Sequence, residues 1–213
     1  WTSRYDNKDL DPEKARNYEV GIRSLLWQKR VRLDCSLYTM TIKDKIVVND
    51  TDMYINAGES SQDGAEIMAT ILPHDKVRLD VAYTYARNKY DSYTTGGIDY
   101  SGNMQPRSPR NHLNARVTLL PLLGLEVEFE MDDTSSQYAD DANLHKYNRP
   151  TLYNLRASYD WKNWKVWAHV LNLTDEEYAT YVSYSASDAS MNMYSGAPRT
   201  VYAGLSYSFG EGN

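Results

Sequence analysis

The chain has 213 residues, a formal net charge of −6 and 24% charged side chains, an acidic balance that argues against a nucleic-acid binder, which needs a basic face. Its mean hydropathy of −0.67 excludes a helical membrane bundle, and its single cysteine excludes an internal disulfide framework or a cysteine-based metal site. Aromatic usage is skewed, with 19 Tyr and 5 Trp against 2 Phe, the pattern of side chains with one dry end and one wet end, as at membrane boundaries.

In chain order, the sequence predicts about nine strands on a two-residue period and no helix. The first spans 17–27, where Tyr18, Val20 and Ile22 alternate with Glu19, Gly21 and Arg23. After the turn "WQKR" the second, 31–44, sets Val31, Leu33, Cys35 and Leu37 against Arg32, Asp34 and Ser36. Cys35 shares the apolar phase and reads as a small apolar residue, not a nucleophile. The third spans 58–72 and is joined by "PHDK" to the fourth, 76–88, with Val77, Leu79, Val81, Tyr83 and Tyr85 on one face. The fifth, 111–120, sets Leu113, Ala115, Val117 and Leu119 against Asn114, Arg116 and Thr118. It runs through "PLLG" into the sixth, 125–132, where Leu125, Val127, Phe129 and Met131 oppose Glu126, Glu128 and Glu130. The seventh, 151–160, and eighth, 164–174, flank "WKNW", and the ninth spans 198–209. The apolar run "VTLLPLLGL" is broken by Pro121 and Gly124 and is far too short to cross a membrane as a helix.

Four short turns alternate with four long polar segments, 45–57, 89–110, 133–150 and 175–197. Long structureless loops are unusual in compact soluble domains, whereas short turns on one side and long loops on the other are what an outer-membrane barrel shows. The three glutamates of the sixth strand share a phase with Arg116 and Arg156, so cross-strand pairing relieves a row of like charges. That face reads either as a polar lumen that packs a plug or as the solvated side of a soluble sheet. The Tyr/Trp excess and the loop asymmetry favour the barrel.

Motifs for chemistry are sparse. His74, His112, His145 and His169 have no metal-ligand spacing, and no G-x-S-x-G elbow or P-loop occurs. "TTGG" reads as a flexible loop. Asp132, Asp133, Asp140 and Asp141 lack the spacing of a calcium loop and read as a solvated acidic segment. "VLNLTDEEY", 170–178, reads as a strand breaking into an acidic turn, or, through Asn172-Leu173-Thr174, as a glycosylation acceptor.

Four phrases together resemble one family. "LDPEKARNYEVGIRS" (10–24) is similar to an L-x-P-E…Y-E-x-G phrase, and "NAGESSQDGAEI" (56–67) to N-x-G…G-x-E. "VLNLTDEEY" is similar to v-x-N-L-x-D-x-x-Y, and "GAPRTVYAGLSYSF" (196–209) to a closing G-x-P-R…x-Y-x-F. In this order they resemble the C-terminal part of a TonB-dependent outer-membrane receptor, over essentially all of 10–209. One departure is that Gly210, Glu211, Gly212 and Asn213 follow Phe209, where the family ends on the aromatic. The resemblance sets the glycosylation reading aside, since it puts Asn172 high on a strand of a bacterial barrel.

The resemblance implies an all-β, antiparallel up-and-down transmembrane β-barrel segment, whose strands are the last of a 22-stranded barrel. Residues 1–213 are expected to be the C-terminal part of that barrel, without the plug and first strands, and unable to close a barrel alone. The chain opens on Trp1, and any export signal is expected upstream of it. The implied function is TonB-dependent uptake of a scarce nutrient, a ferric siderophore by family frequency, at the bacterial outer membrane. The implied partners are outer-membrane lipid, the plug and N-terminal strands, the TonB system through the absent N-terminal part, and a siderophore-like small molecule, with no nucleic acid. No cofactor, no metal and no enzyme activity are expected. The alternatives are a passive porin or adhesin-like barrel without a plug, a lipase-like barrel, for which no paired Ser and His are found, and a soluble β-sandwich.

In such receptors the outward loops bind the ligand. Here they carry Tyr90, Tyr93, Tyr100, Arg107 and Arg110 in one segment, Tyr138, Lys146, Tyr147 and Arg149 in the next, and Tyr181, Tyr184 and Tyr194 in the last. Rings stack on flat chelating groups, and guanidinium pairs with anionic oxygens. Each residue alone also fits an aromatic girdle or a solvated loop, so the expectation is of contact by some of the set. Replacing Arg107 and Arg110 by alanine is expected to weaken binding.

Overall fold

A computed structural model describes residues 10–48, 54–56 and 58–209. Among them, all regular structure is β. Nine long strands form one sheet: β1 (Lys14–Leu26), β2 (Val31–Lys43), β3 (Glu59–His74), β4 (Val77–Ser92), β5 (Asn111–Leu122), β6 (Leu125–Thr134), β7 (Leu152–Trp161), β8 (Trp164–Leu171) and β9 (Thr200–Tyr207). Each pairs antiparallel with its neighbours in sequence, and β1 and β9 are the two edges of an open sheet. All nine predicted strands are present. The largest disagreement is at β4, which runs on to Ser92 and not 88, while β8 ends at Leu171 and not 174 because Asn172 turns the backbone left-handed at φ 52°.

Register carries the alternation across the whole sheet. Because directly opposed residues share a face, apolar side chains line up in rows. One row runs Ile22, Cys35, Ile67, Tyr83, Leu113. Another runs Leu79, Val117, Phe129, Leu155, Val170, Val201. Val117, Phe129 and Val201 remain 37%, 40% and 66% exposed. A soluble sandwich would bury such a face, so this exposure fits lipid contact. Toward the short turns the row ends in Trp161 opposite Trp164 and Trp164 opposite Tyr207, aromatics at the level of a membrane boundary.

The opposite face is polar and cross-linked. Arg156 Nη1 lies 2.8 Å from Glu128 and 2.7 Å from Glu130. Glu130 also accepts from Asn114 and Asn154, each at 2.8 Å. Arg116, the Cα partner of Glu130, makes no ion pair among the described residues, so Arg156 alone carries the compensation expected of both arginines. Further along, Asp34 lies 3.0 Å from Arg23 and 2.9 Å from Arg32, while Asp80 lies 2.8 Å from Arg78 and accepts from Thr70.

The short connections hold to hairpin geometry. Lys162 and Gly124 take left-handed backbones, and Trp27, Gln28 and Lys29 do so consecutively. The two prolines inside strands lie where the ladder slips. Pro73 falls within the shift between Ile71 and His74, and Pro121 lies between Leu119 and Leu122, which face the shifted pair Leu125 and Val127. A missing N–H is tolerated at such bulges.

Two inward glycines lie under aromatic rings of the neighbouring strand. A Cβ on Gly64 would come 2.4 Å from the Tyr38 ring, and one on Gly204 would come 2.4 Å from the Trp167 ring. Gly204→Val is expected to push the indole out and destabilise the last hairpin by about 1–3 kcal/mol, the usual cost of overpacking. Thermal unfolding of the refolded receptor measures this. Adding Trp167→Ala should recover most of the loss, and an unchanged midpoint in Gly204→Val would remove the close-packing argument.

Candidate functional site

All the long connections lie at one end of the sheet, since every short turn joins strands at the other. They are not structureless. Thr94–Thr95 pairs with Ile98–Asp99, Gln137–Tyr138 with Lys146–Tyr147, and Ala179–Ser185 with Ser190–Ser195. In segment 45–57, Ile46–Val48 pairs with Tyr54–Asn56; residues 49–53 and 57 lie outside the described set. The expected flexible "TTGG" is the turn of the first of these hairpins, with Gly96 and Gly97 at φ 61° and 70°, the two left-handed positions that such a turn requires.

The hairpins are stitched to one another. Asn143 Nδ2 donates to Met104 O at 2.8 Å, Met104 N donates back to Asn143 Oδ1 at 2.7 Å, and Asn103 Nδ2 donates to Asp141 O at 2.8 Å. These bonds hold segment 133–150 against 89–110. Ala179 N donates to the Tyr147 hydroxyl at 2.7 Å, and the His145 ring stacks on Tyr184 at 3.4 Å. A small core of Ala139, Ala179 and Val182 lies beneath. Three polar segments thereby become one layer above the sheet.

The four phrases that carry the family resemblance form two clasps at the bases of loops. Asp11 N donates to Asn56 Oδ1 at 2.7 Å, while Asn56 Nδ2 donates to Asp11 O at 2.8 Å and Asp44 O at 2.6 Å. Ile46 N donates to Glu13 at 2.8 Å. Near the opposite edge of the sheet, at the same loop end, Asn172 is 4% exposed. Its Oδ1 accepts from Glu176 N at 2.9 Å, and its Nδ2 donates to Glu176 O and Ala197 O at 2.9 and 3.1 Å. Asp175 accepts from Arg199 N at 2.8 Å, and Gly196 N donates to Tyr178 O at 2.7 Å. Gly196 has no room for a Cβ, which would sit 2.2 Å from the Tyr178 ring.

The acidic segment is not solvated, contrary to expectation. Asp132 lies 3.0 Å from His112 and 2.6 Å from Arg149, and Asp133 accepts from the Thr151 hydroxyl at 2.5 Å. Asp140 lies 2.5 Å from His145 Nδ1, and Asp141 accepts from the Tyr90 hydroxyl at 2.8 Å. The carboxylates are spent as internal acceptors because the loop backbones and side chains around them need partners once packed. No group of three or more His, Cys, Asp or Glu able to hold a metal ion occurs among the described residues.

The predicted ligand residues divide by exposure. Tyr90 and Tyr93 are each 8% exposed, with ring centroids 4.5 Å apart, and Tyr93 meets Tyr100 at 5.9 Å. These three pack the layer. Lys45 Nζ lies 5.5 Å from the centre of the Tyr90 ring and donates to Gln105 at 3.1 Å. Burial lowers its ammonium below the ordinary lysine range, with Glu13 and Asp141 opposing. Tyr147 and Tyr184 are half-buried seams between hairpins, and Arg149 pairs with Asp132 while lying 5.6 Å from the Tyr178 ring. Arg107, Arg110, Tyr181 and Tyr194 are exposed. Tyr181 stacks on Tyr194 at 5.1 Å, and Arg107 covers the Tyr181 ring at 5.1 Å. Lys146 lies 4.9 Å from the ring of half-buried Tyr138. Arg110, Lys146 and Tyr138 also line a cleft of about 270 Å³, with Met104, Asn111 and Ser135 and with Ser108, Ser136 and Gln137. The last three carried no signal in the sequence beyond lying in polar segments.

Comparison with known proteins agrees with this geometry. Residues 1–173 match the family model described as TonB dependent receptor-like, beta-barrel. The probable TonB-dependent siderophore receptor PiuA of Acinetobacter baumannii is 26% identical over 88% of this chain and 27% of its own length. The ferrichrome outer membrane transporter/phage receptor of Escherichia coli is 27% identical over 96% of this chain and 28% of its own. The chain thus spans under a third of the length of these relatives. The crystal structure of the A. baumannii PiuA receptor superposes with a TM-score of 0.78 at 24% identity, over 93% of this chain and 29% of that one. The ferric yersiniabactin uptake receptor FyuA of Yersinia pestis superposes at 0.77 with 21% identity, over 92% and 30%.

Proposed function

Because the chain belongs to the TonB-dependent receptor-like β-barrel family, we propose that it forms the C-terminal wall of an outer-membrane receptor that imports a ferric siderophore. The plug, the remaining strands and the contact with the TonB system come from the rest of that receptor. The outer face of the sheet meets lipid, the polar face meets the plug, and the loop layer meets the ligand.

The observation that carries this reading is the layer itself. Its hairpins are fixed by internal bonds, yet Arg107, Arg110, Tyr181 and Tyr194 are left at its surface, a set suited to flat, oxygen-rich chelates. A pre-ordered surface loses less entropy on binding than loops that must first fold. The relatives are named for siderophores, ferrichrome and ferrioxamine, which supports the ligand class.

Deleting the gene should abolish growth when a ferric siderophore is the sole iron source, and a plasmid copy should restore it. Normal growth of the deletion strain on every ferric chelate, with a defect on haem, cobalamin or a sugar instead, would reassign the ligand.

A further inference from the structure

We propose that the cleft lined by Arg110, Lys146, Ser108, Ser136, Gln137 and Tyr138 selects a negatively charged chelate, gripping its anionic catecholate or carboxylate oxygens, over an uncharged one. This rests on the ferric-chelate reading above and names the charge class within it.

The sequence points the other way, since the chain carries a net −6 and the neighbouring segment holds four aspartates. The structure sorts these charges. Asp132 is matched by Arg149 and His112, Asp140 by His145, and Asp133 and Asp141 by hydroxyls of Thr151 and Tyr90. The two cations on the cleft are left over. Among the described residues neither Arg110 nor Lys146 has a carboxylate within ion-pair distance, and the ammonium of Lys146 is engaged only with the Tyr138 ring. No carboxylate lines the cleft. Ser136 and Gln137 make no side-chain hydrogen bond among the described residues, so their donors are available to a ligand. Charge-assisted hydrogen bonds are roughly twice as strong as neutral ones, and an uncharged complex would forgo that gain while still desolvating two cations. At about 270 Å³ the cleft is below the roughly 300–1,000 Å³ of pockets that enclose a whole drug-sized ligand. It suits one arm of a chelate whose remainder lies outside.

The test uses the intact receptor in detergent, titrated with a ferric tris-catecholate, a ferric trihydroxamate of zero net charge, and inorganic phosphate. The wild type should bind the tris-catecholate at least about tenfold more tightly than the trihydroxamate, as expected for one charge-assisted contact. Arg110→Gln combined with Lys146→Gln should erase that preference. A wild type that favours the uncharged complex, or a double variant that keeps the preference, overturns the inference and leaves the ferric-chelate reading standing. Failure of both ferric complexes to bind overturns both. Displacement of the tris-catecholate by phosphate would make the cleft a phosphate site and overturn the inference likewise. If the double variant does not fold, salt decides on the wild type. Weakening of tris-catecholate binding by about tenfold between low and high salt supports the inference, and salt-independent binding overturns it.

Discussion

Asn172→Ala is expected to destabilise the outer end of the final hairpin by about 2–4 kcal/mol. The side chain is buried and makes three hydrogen bonds, to Glu176 N, Glu176 O and Ala197 O. Truncation leaves those backbone groups short of partners, and an unsatisfied buried group costs more than the net gain of the bond it lost. Alanine also has to adopt φ 52°, which disfavours any residue with a Cβ by roughly 1–2 kcal/mol and which asparagine tolerates best. Asn172→Gly separates the two effects, because glycine accepts the backbone but restores no bond. It should recover about 1 kcal/mol of the alanine deficit. Limited proteolysis within 175–199 reads the loss directly. Equal protection of that segment in wild type and Asn172→Ala would mean that the asparagine does not hold it.

Arg156→Met is expected to cost about 1–3 kcal/mol. One nitrogen of this guanidinium lies within 2.8 Å of Glu128 and 2.7 Å of Glu130, two carboxylates on the same face of β6. Breaking a fully buried pair typically costs about 3–5 kcal/mol because a charge is left uncompensated. The arginine side chain here is 30% exposed, so solvent screening reduces the figure. Methionine keeps most of the volume and removes the charge together with the guanidinium's hydrogen-bond donors. Adding Glu128→Gln should return more than half of the stability in a denaturant titration. If the second change deepens the loss, the pair is not coupled as described.

The strands were legible in the sequence because a two-residue period repeated over eight or more residues survives boundary error. The loop hairpins were not. Strands as short as Thr94–Thr95 and Ile98–Asp99 carry no period, and only the Gly96-Gly97 turn marks them. Nor was the fate of the acidic residues legible. Tyr90 and Asp141 are 51 positions apart, and nothing local to either says that they meet. For the candidate site, chemistry was readable and exposure was not. Arg107, Tyr181 and Tyr194 were selected by the same rule as Tyr90 and Tyr93, and the structure leaves the first three at the surface while burying the other two. The four phrases that carry the family resemblance were recognisable as a pattern, but their physical content, asparagines holding loop bases shut, required the pairing of Asn56 with Asp11 across 45 positions.

The clasps also bear on how the chain assembles. Every strand pairs with a sequence neighbour, so the sheet can grow by adding one hairpin at a time with little conformational search. The steps are unequal. Closing 172–199 entails more ordering than closing a four-residue turn, by about 1–2 kcal/mol on a logarithmic length scale. Asn172 and Asp175, by gripping Ala197 and Arg199, hold the ends of that long connection together where β9 meets β8. Asn56 does the same for the connection between β2 and β3 through Asp44. If these clasps form early they would act as splints that shorten the closures, and variants that weaken Asn56 or Asn172 are then expected to lengthen the lag before the native sheet forms.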